Sequence, residues 1–213
     1  MSDPLRILVV DDHAVLRAGL KALLDGHADL RVSAEADSGE AACRQFIEHQ
    51  PDLVIMDLSM PGIGGIEAIR RIIARQSDAR VLVFSMHHDV LFVEQALQAG
   101  ARGYIGKHCA ASLLAAAVRE VANGTIYIDP DIAQRLAARK IEGSDSPLQD
   151  LSTREFEVLC LLAEGLSVNT IAKRLALSCK TVANYATQLK RKLAVATTSE
   201  LTRLAIRHGV IKA

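Results

Sequence analysis

Tryptophan is absent from this 213-residue chain, and aromatic residues make up only 3% of it. Any core must therefore be aliphatic, built from Leu, Ile, Val and Ala. No apolar run approaches the ~18 residues that a membrane-spanning helix needs. The N-terminus, Met1-Ser2-Asp3-Pro4, lacks a basic stretch followed by a long apolar one, so no secretory leader is expected and the protein reads as cytoplasmic, without a membrane partner. Cysteine is scarce. Cys43, Cys109, Cys160 and Cys179 form no C-x-x-C pair and have no His at zinc-ligand spacing, so they read as small buried thiols in a reducing compartment. Net charge is missing too: 25 Lys+Arg balance 25 Asp+Glu. Taken over the whole chain, that balance argues against nucleic acid, but a sum can hide two opposed halves. Half of the residues are hydrophobic and 23% are charged, which excludes disorder as the main theme.

What the chain does have is two periodicities. Leu5-Arg6-Ile7-Leu8-Val9-Val10 reads as a buried strand, and Leu16, Leu20, Leu23 and Leu24 then recur at helical spacing until Gly26. Arg31–Ala36, Leu53–Met56, Arg80–Phe84 and Gly103–Ile105 read as four more strands. Helices fall between and after them: from the cap Ser38 to His49, along Ile66, Ile69, Ile72 and Ile73, from about Asp89 to Ala99, and from Ala111 to Ala122. Strict alternation predicts a flavodoxin-like (βα)5 α/β domain, a parallel five-stranded sheet with helices on both faces. Asp129-Pro130-Asp131 can open a short helix to about Lys140, and Glu142–Pro147 is polar, turn-rich and aperiodic. The predicted organisation is an α/β domain over 1–125, a linker with a short helix over 126–147, and a second domain over 148–213.

Beyond Pro147 the strands vanish. Ser152-x-x-Glu155 is a capping box ahead of the stripe Leu159, Leu162, Ala163 and Leu166. Ser167 caps a short helix bearing Ile171, Ala172 and Leu175, and Leu177-Ser178 turns into a longer one with Val182, Ala186, Leu189 and Leu193 inward. Thr197-x-x-Glu200 is a second capping box, opening a last helix. This is a four-helix all-α unit whose second and third helices are joined tightly, a helix-turn-helix candidate. Residues 148–213 hold 10 basic and 5 acidic groups, a net +5, which leaves −5 on residues 1–147.

In the acidic half, Asp11 and Asp12 follow strand one, Asp57 follows strand three, Ser85 ends strand four and Lys107 follows strand five. Ligands of open α/β sheets bind beyond these carboxyl ends. Singly, each residue has a plainer use: paired acids cap turns and a loop Lys is usually solvated. Together they point to a hard, oxygen-ligated cation such as Mg²⁺ and to a carboxylate nucleophile for phosphorus, with Ser85 and Lys107 sharing the phosphoryl charge. A nicotinamide fold would want G-x-G-x-x-G where Asp11-Asp12-His13 stands. A haloacid dehalogenase-like phosphatase would want D-x-D-x-T, and Asp57-Leu58-Ser59 lacks the second acid.

Asp11-Asp12-His13, Met56-Asp57-Leu58-Ser59-Met60-Pro61-Gly62, Ser85, and Ala99-Gly100-Ala101-Arg102-Gly103-Tyr104-Ile105-Gly106-Lys107 resemble the receiver domain of bacterial two-component response regulators, over about residues 5–123. The resemblance implies that Asp57 accepts phosphate from a sensor histidine kinase or phosphotransfer domain. It implies that Asp12, Asp57 and the Ser59 backbone carbonyl ligate Mg²⁺ (or Mn²⁺), with Asp11 acting through water. It also implies that Ser85 and Lys107 bind the phosphoryl group and that Tyr104 turns inward as a coupled switch. His13, His87 and His88 lie beside this crevice; His87 stands where receivers tune dephosphorylation, and an imidazole role for His87-His88 as metal ligands is disfavoured because Mg²⁺ prefers oxygen.

Leu151-Ser152-Thr153-Arg154-Glu155-Phe156-Glu157-Val158-Leu159 through Lys192-Leu193 resembles the LuxR/NarL-type helix-turn-helix. Its recognition helix would be about 179–192, with Ala183, Asn184, Thr187, Gln188 and Arg191 outward, and with Lys180, Thr181, Lys190 and Lys192 better placed for phosphates. Many relatives carry Lys at position 183 and His at 185, where Ala and Tyr stand here. The two resemblances in this order match the NarL/FixJ class, and Leu201–Gly209 is similar to its GacA/UvrY-like subgroup. They imply a phosphorylation-switched transcription factor, dimeric on activation, acting on promoter DNA and RNA polymerase. They imply no enzyme activity beyond self-phosphorylation from a phosphodonor and autodephosphorylation at Asp57. The rival reading is a receiver-containing protein-interaction module whose output is not direct DNA binding.

Overall fold

Six parallel strands carry the first part of the chain. They are β1 (Leu5–Val10), β2 (Leu30–Ala36), β3 (Leu53–Met56), β4 (Val81–Ser85), β5 (Gly103–Gly106) and β6 (Tyr127–Ile128), in the order β2-β1-β3-β4-β5-β6. This computed structural model describes residues 3–87, 89–109, 111–141, 147–148, 151–175, 177–208 and 210–211. The chain divides into two units, residues 1–135 and 136–213. In the first, α1 (Ala14–Asp25), α2 (Gly39–His49), α3 (Gly64–Arg75), α4 (Val90–Gln98) and α5 (Ala111–Ala122) connect or follow the strands.

Parallel strands covered on both faces are apolar along their whole length, and Ile7–Val10, Leu53–Met56 and Val81–Phe84 are all buried. Ile7, Val9, Leu53, Ile55, Leu82, Phe84 and Ile105 pack with Leu20 and Leu24 of α1 and with Leu114, Val118 and Val121 of α5. Strand alternation turns Leu8, Val10, Val54, Met56 and Val83 to the opposite face. Burial of each such side chain contributes about 1.5–3 kcal/mol, so an aliphatic sandwich holds without tryptophan. The sequence predicts five strands, and the structure adds a sixth. Tyr127 and Ile128 pair with Gly103 and Tyr104, inside the stretch read as linker. Two residues cannot carry a strand periodicity. The strand order reverses direction at β1, which opens the crevice at the carboxyl ends of β1 and β3.

After β6, the Asp129 carboxylate accepts the N–H of Asp131 at 3.1 Å at the start of α6 (Pro130–Ile141). Residues 142–146 of the predicted linker lie outside the described residues. Then come α7 (Thr153–Ala163), α8 (Val168–Arg174), α9 (Cys179–Lys192) and α10 (Thr198–Arg207). Their starts are fixed by side chains, as the sequence predicts. Ser152 and Glu155 form the reciprocal capping box, and the hydroxyls of Ser167 and Ser178 accept the N–H groups of Thr170 and Thr181. At Thr197 the box is offset. The hydroxyl accepts from Glu200 N–H at 3.2 Å, but the Glu200 carboxylate reaches back to Ala196 N–H at 2.7 Å. Phe156, Leu159, Ile171, Val182, Leu189, Leu201 and Ala205 are buried. Of the four thiols only Cys160 is buried, while Cys179, on the first turn of α9, is exposed. The expectation of buried thiols fails there because that turn faces solvent.

Ala194, just past α9, has φ 53°, in the left-handed region. A Cβ there costs about 1–2 kcal/mol. Ala194→Gly is expected to stabilise this unit by about 0.5–1 kcal/mol after glycine's entropic cost, read as a higher urea midpoint. A lower midpoint would show that the turn is unstrained.

Candidate functional site

β1 and β3 lie side by side with Val10 opposite Met56, so Asp11 and Asp57 leave the sheet together. The Asp57 N–H donates to the Val10 carbonyl at 2.9 Å. Both carboxylates are 1% exposed. Lys107 comes in from the end of β5, where its N–H donates to the Ser85 carbonyl. Its ammonium lies 2.6 Å from Asp11 Oδ2 and 2.9 Å from Asp57 Oδ2. Among the described residues, neither oxygen has another partner. Burial pushes the Asp57 carboxyl above the usual carboxylate range; Lys107 pulls it back and Asp11 adds to the push. Burial pulls the Lys107 ammonium down, but the two carboxylates outweigh that and hold it above the usual lysine value.

Asp12 stands at the rim with its side chain 33% exposed. Three carboxylates against one ammonium leave two negative charges, which fits a hard divalent cation with oxygen ligands. Buried carboxylate oxygens whose partner among the described residues is one shared ammonium are what such an ion would take up. His13 Nδ1 lies 3.1 Å from Asp11 Oδ1 and 2.9 Å from Asp12 Oδ1, so Asp11, Asp12 and His13 form one cluster of potential ligands. Arg17 Nη1 donates to the Asp11 carbonyl at 2.6 Å, a support that no sequence spacing indicates.

Ser85 and Tyr104 are fully buried. The Tyr104 hydroxyl donates to the His87 carbonyl at 2.7 Å, which rules out a surface aromatic at that position. Burial pushes this hydroxyl well above its ordinary pKa, with Ser85 opposing the shift, so it remains a donor. Ser85 Oγ accepts the His87 N–H at 3.2 Å. The His87 ring stacks on Phe92 at 3.9 Å between centroids, and its Nε2 lies 2.7 Å from Ser59 Oγ. The loops after β3 and β4 are thus tied together beside Asp57, a link the sequence reading missed. His88 lies outside the described residues.

The loop after Asp57 is held tight by Gly65. A Cβ there would collide with the Asp57 carbonyl oxygen and lie 2.7 Å from Leu58 Cα. Gly65→Ala must move backbone next to Asp57. It is expected to cost about 1–3 kcal/mol, read as a lower urea midpoint. Wild-type stability in this variant would show that the loop is not constrained.

In the second unit, α9 buries Val182 and Leu189. It exposes Lys180, Asn184, Thr187, Gln188 and Arg191, with Thr181 and Lys190 half-buried. Lys192 is committed elsewhere: its ammonium lies 2.8 Å from the Glu155 carboxylate of the α7 capping box. Burial would raise the Glu155 carboxyl, but Lys192 and the Ser152 groups outweigh it and hold it below the usual range. A carboxyl depressed in the folded state contributes stability above its unfolded pKa and loses it as pH falls through the folded one. Lys192→Ala should therefore cost about 1 kcal/mol at neutral pH, discounted because the lysine is half exposed, and should flatten the acid limb of stability below about pH 4.5. An unchanged acid limb would show that the pair contributes nothing.

Residues 7–119 match the response regulator receiver domain, and residues 149–205 match the bacterial regulatory proteins of the luxR family. The chain is 39% identical over 211 residues to Response regulator UvrY of Escherichia coli strain K12, covering 98% of this chain and 97% of that one. It is 38% identical over 211 residues to Response regulator GacA of Pseudomonas aeruginosa, covering 98% and 99%. Among solved structures it is similar to RcsB of Salmonella enterica serovar Typhimurium bound to promoter P1flhDC in the presence of phosphomimetic BeF3⁻. The TM-score is 0.69 and the identity 26%, over 95% of this chain and 98% of that one. No helix among the described residues is long and apolar enough to cross a membrane. With both family models matched in order and relatives matched from end to end, this chain belongs to the two-component response regulators of the NarL/FixJ class, in the GacA/UvrY-like subgroup, with a receiver joined to a LuxR-type DNA-binding domain.

Proposed function

We propose that Asp57 takes a phosphoryl group from a phosphohistidine on a sensor kinase or phosphotransfer domain, and that this switches binding of the C-terminal domain to promoter DNA. The observation carrying this reading is the pair of buried carboxylates, Asp11 and Asp57, that share one ammonium. Asp11, Asp12, Asp57 and the Ser59 carbonyl would hold Mg²⁺ or Mn²⁺, which when bound supplies positive charge for the phosphoryl oxygens. The Asp57 carboxylate attacks phosphorus, the bond from phosphorus to the donor's ring nitrogen breaks, and that nitrogen keeps the electron pair. Lys107 and Ser85 then hold phosphoryl oxygens. Ser85 leaves its contact with the His87 N–H to do so, which loosens the loop that Tyr104 anchors.

Residues 1–125 act as the receiver, 126–147 as the connector and 148–213 as the output domain. The protein works in the cytoplasm as a dimer on DNA and engages RNA polymerase there. Its only reactions are gain and loss of the group at Asp57. Lys180, Thr181, Lys190 and Arg191 meet phosphates or guanine, and Asn184, Thr187 and Gln188 meet base edges. RcsB, solved on a promoter with a phosphomimetic, supports this arrangement of roles. The test is mass spectrometry after incubation with Mg²⁺ and acetyl phosphate. Wild type should gain one phosphoryl group and Asp57→Asn none. Equal gain by both would overturn the assignment.

A further inference from the structure

The exposed face of α9 presents small and carboxamide side chains along its middle. Ala183, Asn184, Thr187, Gln188 and Arg191 are all exposed along it. Ala183, Thr187 and Arg191 stand at successive i, i+4 positions, and Asn184 and Gln188 form a second such row beside them. Each i, i+4 step rises about 6 Å, close to two base steps of about 3.4 Å each. The Thr187 hydroxyl donates to the Ala183 carbonyl one turn back, at 2.9 Å. Its proton is therefore spent within the helix, and the group left for a ligand is chiefly its methyl. With the Ala183 methyl one turn away, the row begins as an apolar ridge. The neighbouring row offers two carboxamides.

Each base pair shows a distinct pattern in the major groove. The thymine methyl takes apolar contact, adenine N6 and N7 take a bidentate Asn or Gln amide, and guanine O6 and N7 take Arg or Lys. The four central positions, 183, 184, 187 and 188, carry no Arg or Lys. The exposed cations nearest them stand at the two ends: Lys180, four residues before Asn184, and Arg191, four residues after Thr187. This deepens the proposal that α9 reads DNA, and it rests on it.

We infer that the core of each half-site consists of A·T pairs, with Thr187 reading a thymine methyl and Asn184 and Gln188 reading adenine edges. Any guanine contact is confined to the Lys180 and Arg191 ends.

The test is selection of random duplexes by the full-length protein, activated with acetyl phosphate and Mg²⁺, followed by affinity measurement on the enriched site. A·T cores are expected. Replacing core thymines with uracil, which removes only the methyl, should weaken wild-type binding about 3–10-fold. Thr187→Ser, which keeps the hydroxyl and loses the methyl, should bind thymine and uracil duplexes alike. Thr187→Val, which keeps a methyl, should retain the thymine preference. The helical circular-dichroism signal and the thermal midpoint of both variants should match wild type, which separates readout from folding. Enrichment of G·C cores, or indifference of wild type to uracil, would overturn the inference while leaving DNA binding intact. Absence of any enriched site or salt-dependent binding would overturn the DNA reading itself.

Discussion

Lys107→Met is expected to slow phosphoryl uptake by on the order of 100-fold, the scale of losing one charge-stabilising donor. The side chain is only 7% exposed and its ammonium is the shared partner of Asp11 and Asp57. Methionine keeps the length and removes the charge. Two buried carboxylates then face each other, and one must take up a proton. Asp57, already pushed upward by burial, loses the cation that counters this push. A protonated Asp57 is a poor nucleophile, and the incoming phosphoryl oxygens also lose a partner. The folded state suffers less than the site, because protonation relieves the repulsion. Initial rates of mass gain at fixed Mg²⁺ and acetyl phosphate measure the effect. A rate within about threefold of wild type would mean that Lys107 is structural only.

The second large effect lies in the output domain. Lys180→Ala with Lys190→Ala should reduce the slope of log affinity against log salt by about 1.8, at about 0.9 per phosphate contact on duplex DNA. The loss should be alike on cognate and random duplexes, because phosphate contacts carry no sequence information. Lys192→Ala should behave differently. Its ammonium is tied to Glu155, so its removal should lower stability more than salt slope. If the double variant keeps the wild-type slope, these two lysines do not touch the backbone.

Much of this is legible in the sequence. Parallel strands leave long apolar runs, and four of the five runs predicted here lead into a candidate site residue. Asp11, Asp57, Ser85 and Lys107 could therefore be placed at one edge from spacing alone. Capping serines announce helices locally, and Ser152, Ser167 and Ser178 sit where the sequence puts them. What escaped was long-range or too short to be periodic. β6 is two residues, and its existence depends on β5 being there to pair with. The Ser59–His87–Phe92 link joins two loops through a ring whose neighbours no pattern fixes. Lys192 meets Glu155 across 37 residues, and its charge reads in sequence as one more phosphate contact. The net charge of zero, by contrast, is resolved by the sequence itself: split at the linker it becomes an acidic receiver and a basic DNA-binding domain.

The central claim is that phosphorylation at Asp57 changes DNA affinity. A switch of this kind requires the modified state to bind better, and couplings of this type amount to about 5–150-fold. The direct measurement is fluorescence anisotropy of a labelled promoter duplex, with and without acetyl phosphate and Mg²⁺, for wild type and Asp57→Asn. The account predicts tighter binding by wild type when the donor is present and no change for Asp57→Asn. A variant that responds to the donor as wild type does, or a wild type that does not respond, would contradict it.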